Sequence, residues 1–377
     1  LTQAPWLRVE SAQPEFAQPD AVPNRAEVVI LGASLAGLSC AHRLAQAGVK
    51  VVVLENSPRL GECAVGRSAG LAQLGLCEHP HQLVEAIGLA DAQALLSLSL
   101  HSLGLLQAHA EWVSEGELNC ASMDNEEQAI VRSAAILSEM GIENRLLENP
   151  ALADRLGLER FELGRVQPLG GSLNPLSLLK TLAKKAVGAG ASVQLGFGTA
   201  HVSRSDSGLL IQGASGQCLG ELVVFADGWR VSSVEPWFQE KVFPVRAQHY
   251  WVPGSSPLKT AGRTQHGYLS WGPSMGGVVV SGCRWGSPHM EVGETEPRLN
   301  AKISDHLAQF LKGFSVENSG SPVEWTSIMD FSCDGLPLLG PLPGQARKIA
   351  CVGFGGQDLG LALACAEAVV EGVLQGV

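Results

Sequence analysis

The segment from Glu27 to Glu55 constrains the chain most. A short β-branched run, Glu27 to Leu31, leads into the glycine-bracketed turn Gly32-Ala33-Ser34-Leu35-Ala36-Gly37. Helical spacing of Leu38, Ala41, Leu44 and Ala45 follows over 36–47, Gly48 stops it, and Lys50 to Leu54 form a second apolar run that ends at Glu55. Strand, tight turn, helix and strand in that order open a parallel nucleotide-binding sheet. Gly32 supplies the tight turn and Gly37 the close approach of helix to strand, while Ser34 holds the middle position where a backbone usually meets a diphosphate. The helix beginning near Leu35 offers unpaired N–H groups and a partial positive charge to phosphates, and Glu55, 23 residues after Gly32, is placed to bond ribose hydroxyls.

The rest of the chain reads as more than one layer. With 377 residues, 45% of them hydrophobic, there is core for about two domains, and no apolar run reaches the ~18–20 residues of a membrane span. A net charge of −11 argues against nucleic acid and anionic membranes as partners. Nine scattered cysteines without a C-x-x-C pair read as reduced thiols, mostly in the core, of a cytoplasmic protein, and residues 1–25 lack the pattern of a secretory signal. Those 25 residues hold four prolines and are expected to run extended over the surface. Helices are expected from Gly88 to Leu156, and a second α/β unit at Pro175–Val187, Ser192–Leu195 and Glu221–Phe225. A largely antiparallel sheet is expected over Lys241–Cys283, and an amphipathic helix over Glu296–Phe314 with Pro297 in its first turn. A last strand is read at Lys348–Val352 and a last helix at Gly360–Gly376.

Several further segments carry a family likeness. Cys63-Ala64-Val65-Gly66-Arg67-Ser68-Ala69-Gly70 is similar to the A-S-G-R-N-A/G-G stretch of the D-amino-acid-oxidase-like FAD oxidoreductases. Gly170–Pro175, Ala226-Asp227-Gly228-Trp229, Pro244–Gln248, Trp325 with Asp334–Pro337 and Gly340-Pro341, and Gly353-Phe354-Gly355-Gly356 resemble that family's later motifs in order. The γ-glutamylputrescine and glycine/sarcosine oxidase-like branch looks closest. The resemblance implies an α/β fold with a discontinuous Rossmann-like FAD domain of the glutathione-reductase type, at 26–103, 167–236 and 325–377. A substrate domain at 104–166 and 237–324 would carry the antiparallel sheet. It also implies non-covalent FAD held by Gly32, Ser34, Leu35, Ala36, Gly37, Glu55, Arg67, Ser68, Ala69, Val193, Ala226, Gly228, Gly353, Gly355, Gly356, Gln357, Asp358 and Leu359. The implied reaction is hydride transfer from the carbon beside an amine nitrogen to flavin N5, with the imine then hydrolysed and electrons passed to oxygen or to another acceptor, including a protein one. Trp271, Tyr250 and Arg284 are assigned the desolvating wall and cation of a small-molecule amine or amino-acid pocket.

Departures from the pattern keep other readings open. Ser68 replaces the Asn of G-R-N, and Val280 stands where the sarcosine-oxidase branch has a flavin-facing lysine, which leaves a dehydrogenase open beside an oxidase. Ser327, seven before Asp334, removes the cysteine used for covalent flavin. Asp358 is read as a cap of the last helix, Arg246 as support for the sheet, and Arg67 as either a flavin or substrate contact or an ion pair. His79 and His81 are read as surface or pocket-edge residues, with no metal site, and Cys333 as lacking a base partner. An NAD(P)H-dependent flavin monooxygenase and a flavin-bearing assembly factor with a drifted site are the alternatives.

Overall fold

The computed structural model describes residues 3–9 and 15–376. Its first sheet has eight strands, six of them in the order Leu338–Leu342, Gln345–Val352, Gly216–Phe225, Arg25–Leu31, Val51–Leu54, Ser192–Gln194. The inner pairings are parallel, with Val29 beside both Val223 and Val52. Both faces are covered, so these strands read as continuous apolar runs. Val28, Ile30, Val53 and Val224 pack under the helices Leu35–Gln46, Pro175–Gly188 and Asp358–Leu374. Val29, Leu31, Val52 and Phe225 pack on the other side with Phe197, Ile211 and Phe238.

The second sheet is ten-stranded and largely antiparallel; its longest run, Val242–Ser255, pairs with Gly277–Gly282 and Val323–Ser332. Side-chain alternation gives it two unlike faces. Trp271, Val278, Val280, Leu118 and Val166 pack against Phe161 and the Ala301–Leu311 helix. The opposite face carries a polar row across six strands, in register from His249 through Ser281, Ser270, Arg263 and Asn119 to Arg165.

Three expectations need correction. In the N-terminal arm, Pro5–Val9 form a helical turn, because Pro5 suits a first helical position and Trp6 is buried; residues 1–2 and 10–14 of that arm lie outside the described residues. The helical stretch after Gly88 is broken by the strand Trp112–Cys120, whose alternation is hidden because Glu117 and Asn119 on its polar face are as buried as Leu118. The amphipathic helix starts at Ala301, where the Asn300 side chain accepts from Lys302 N, so Pro297 lies before it. The helix Leu89–Gln107 is long and apolar enough to cross a membrane by length and composition, although its Ala92, Leu96, Leu103 and Leu106 pack into the core.

Candidate active site

The glycine turn is built as a brace. Gly32, at φ +103°, donates its N–H to Leu54 O at 2.9 Å and turns the chain over the sheet edge. Ser34 caps the Leu35–Gln46 helix, its hydroxyl accepting from Gly37 N at 3.1 Å. A Cβ at Gly37 would stand 2.1 Å from Gly32 O, so only glycine lets this helix start so close to the strand. Glu55 is turned inward: its carboxylate accepts from Ala33 N at 2.7 Å and from Ser57 N at 2.9 Å, holding the turn from behind.

In front of this brace lies a cleft of about 330 Å³, bordered by Ser34, Arg67, Ala226, Gly228, Asp330 and Asp358 among others. It adjoins a second cavity of about 120 Å³, with Ala64, Val65 and Asp358 shared between them. Ser68, Ala69, Gly355, Gly356, Gln357, Leu359 and Arg284 line this second space. Gly32, Leu35, Ala36, Gly37, Glu55, Val193 and Gly353 do not line either cavity; they form the layer behind, with Val193 in the sheet core. The Arg67 guanidinium donates to Thr326 O at 3.0 Å and to Glu62 at 3.1 Å, so the ion-pair reading holds while one edge of the residue still borders the cleft. Arg246 is bound to Glu291 at 2.7 Å and supports the sheet.

The aromatic wall is not where the sequence suggested. Trp271 is fully buried, stacked on Phe161 with ring centroids 5.5 Å apart, and Tyr250 packs against the same core. Both stand in register with Val280, on the face turned away from the cleft. One position along, the parity reverses: Ser281, not Val280, faces the cavity, together with His249, Ser270 and Tyr268. His249 was missed because a lone histidine carries no local motif. Its ring nitrogens meet Ser281 Oγ and Ser327 Oγ, each at 2.8 Å, and its ring stacks on Trp325. Arg284 sits at the mouth, its guanidinium over Tyr268 and Phe331, with no ion pair among the described residues.

Burial dominates the electrostatics. The carboxyls of Asp227 and Asp358 are pushed up to about 8 and that of Asp330 to about 6, in each case chiefly because the charged form loses hydration. Asp358 is the first residue of its helix, with Gln357 at the cap position, and borders both cavities; it does not serve as the expected cap. His249 is held down to about 3 by burial and by the nearby Arg67, so it is a neutral imidazole. His79 and His81 are buried, the first at the N-cap of Pro80–Ile87 and the second bonded to Ser133, which corrects the reading of them as edge residues. Cys333 is exposed, and its thiol donates to the Glu240 carbonyl.

The pattern of one family, FAD dependent oxidoreductase (DAO), matches residues 27–372. The chain belongs to the DAO family. Solved structures share the DAO fold. A glycine oxidase from Geobacillus kaustophilus superposes with a TM-score of 0.76 at 19% identity, covering 93% of this chain and 95% of that one. An L-proline dehydrogenase from P. horikoshii gives 0.75 at 16%, covering 94% and 95%. Among curated sequences, a probable oxidoreductase OrdL of Rhizobium meliloti is 24% identical over 234 residues, 59% of this chain and 54% of that protein. A tRNA 5-methylaminomethyl-2-thiouridine biosynthesis bifunctional protein MnmC of Paraburkholderia phytofirmans is 25% identical over 363 residues, 91% of this chain and 52% of that protein. The chain thus spans about half the length of these curated relatives.

The residues present fit the family's cofactor. Three aspartates border the cleft: near pH 7 burial keeps protons on Asp227 and Asp358, which limits the negative charge a diphosphate would meet there, while Asp330, at about 6, is mostly ionised and accepts from Gly353 N. Ser34, the N-terminal turn of the Leu35–Gln46 helix and Gly228, at φ +53°, border or back the same cleft.

Proposed function

We propose that this DAO-family chain holds FAD without a covalent link and oxidises the C–N bond of a small amine or amino acid, leaving an imine for hydrolysis. Electrons go on to oxygen or another acceptor. The observation that carries this reading is the smaller cavity where it meets the larger: hydroxyls, a neutral imidazole, a tyrosine ring and one guanidinium surround a space for a small molecule. Ser327, at the position where a cysteine would be needed for attachment, supports a non-covalent cofactor. When bound, FAD supplies a hydride acceptor.

The chain's own residues supply orientation and proton handling. Arg284, without an acidic partner among the described residues, suits a substrate carboxylate. An amine with a Lys-like pKa of ~10.4 costs about 4 kcal/mol to present neutral at pH 7, and a dry wall bearing a cation lowers that cost. Tyr268 and Met329 add apolar surface to the cavity wall. His249 bridges Ser281 Oγ and Ser327 Oγ, so a proton taken at one hydroxyl can leave at the other without charging the imidazole.

The test is a panel of amines and amino acids assayed on wild type and Arg284→Met. The reading expects KM for carboxylate-bearing substrates to rise by roughly 10-fold to 100-fold in the variant, with kcat less affected, from loss of a charge-assisted contact of about 1.5–3 kcal/mol. Equal kinetics for both proteins on every turned-over substrate would remove Arg284 from the site.

A further inference from the structure

A group of metal-capable side chains lies behind the tyrosine wall of the smaller cavity. His79 Nε2 and His266 Nδ1 stand 3.2 Å apart in a hydrogen bond that a bound ion would replace, and the three ligand atoms of His79, His266 and Glu126 lie within 4.8 Å of one another. These three residues are far apart in sequence and are assembled only by the fold. Zinc–nitrogen bonds of 2.0–2.1 Å at tetrahedral angles put neighbouring donor atoms about 3.3 Å apart, which is the spacing of the two imidazoles. We propose that His79, Glu126 and His266 bind one divalent ion of the zinc class, with the fourth position open to water.

The surroundings are built for ligation. Glu126 Oε2 accepts from Ser122 N at 2.8 Å, Met123 N at 3.2 Å and the Thr264 hydroxyl at 3.3 Å, while Oε1, among the described residues, accepts one bond, from His266 N at 2.7 Å. Outer contacts of this kind orient a ligating carboxylate. His79 is buried, and half-buried His266 keeps the group in partial contact with solvent. Two imidazoles and one carboxylate suit ions that bond nitrogen strongly, such as zinc, cobalt or nickel.

Such an ion would tie three segments together: the starts of the helices Pro80–Ile87 and Glu126–Glu139, and the turn at 265–268. Gln265 and His266 both have positive φ, at 55° and 53°, and the next two residues, Gly267 and Tyr268, line the smaller cavity. The ion would therefore fix the wall of the pocket without entering it. This site is independent of the reaction proposed above.

The test is isothermal titration of the tag-free, metal-stripped chain with zinc chloride, checked by elemental analysis after dialysis. One equivalent is expected to bind to wild type. His266→Asn, which keeps a residue tolerant of positive φ, and His79→Gln should each weaken it by roughly 100-fold or more. Absence of saturable uptake by the folded wild-type chain would overturn the proposal, as would uptake unchanged in both variants.

Discussion

Trp6 meets Trp325 edge to face, ring centroids 5.5 Å apart, and the two indoles donate to successive carbonyls, Trp6 to Gly66 at 2.7 Å and Trp325 to Arg67 at 2.8 Å. The N-terminal arm thereby clamps the turn that borders both cavities. Trp6→Ala should cost about 3–5 kcal/mol, as for a large buried aromatic. Trp6→Phe should cost less, keeping much of the ring packing and losing the bond to Gly66. Urea unfolding of the two variants checks the order, and a stable Trp6→Ala protein would mean that the arm is dispensable.

Gly37 has no room for a methyl group, since a Cβ there would stand 2.1 Å from the Gly32 carbonyl. Gly37→Ala must push the helix off the strand and displace Ser34, so a loss of about 3 kcal/mol or more and poor flavin retention are expected. Gly48→Ala is the control. Its Cβ would meet no atom within 4 Å, although its φ of +84° still carries a smaller backbone penalty. Thermal melts of both check the difference.

Asp227 gives stability a pH dependence whose sign follows from its raised pKa. The folded chain keeps the Asp227 proton up to about 8, whereas an unfolded aspartate loses it near 3.8, so folding takes up a proton between these values and stability falls as pH rises through them. Asp227→Asn lacks this loss. Relative to wild type the variant should gain steadily in urea midpoint from pH 5 to pH 8.5, and a constant offset would show that the carboxyl is ionised throughout.

His249 acts in the opposite direction. Its proton leaves at about 3 in the folded chain against about 6.5 in the unfolded one, so folding releases a proton in this window and stability falls as the solution is acidified from 6.5 towards 3. His249→Gln should narrow its gap to wild type as pH drops from 7 to 5. Because the aspartate and histidine effects oppose each other between about 4 and 6.5, only such differences between variant and parent separate them. A gap that widens on acidification would contradict the neutral imidazole.

What the sequence revealed and what it hid follow from locality. The turn from Gly32 to Gly37 and the acid at Glu55 are adjacent in the chain, so their geometry could be read before the fold, although not that Glu55 turns to Ala33 and Ser57. The substrate-side residues are set by strand parity and register. Tyr250 and Trp271 look like pocket walls in an aromatic-rich stretch, yet a period of two sends them to the core, while their plainer neighbours His249 and Ser270 face the cavity. The group formed by His79, Glu126 and His266 depends on contacts between distant segments and leaves no spacing signal in the chain.

The central claim, a flavin-bearing chain that takes a hydride from beside an amine nitrogen, is tested most directly by the visible spectrum of the purified protein under anaerobic conditions. A yellow protein is expected, releasing about one FAD per chain on denaturation, with its colour bleached by an amine or amino acid without NAD(P)H. A chain that stays colourless after reconstitution with excess FAD, or a bound flavin reduced only when NAD(P)H is added, would contradict it.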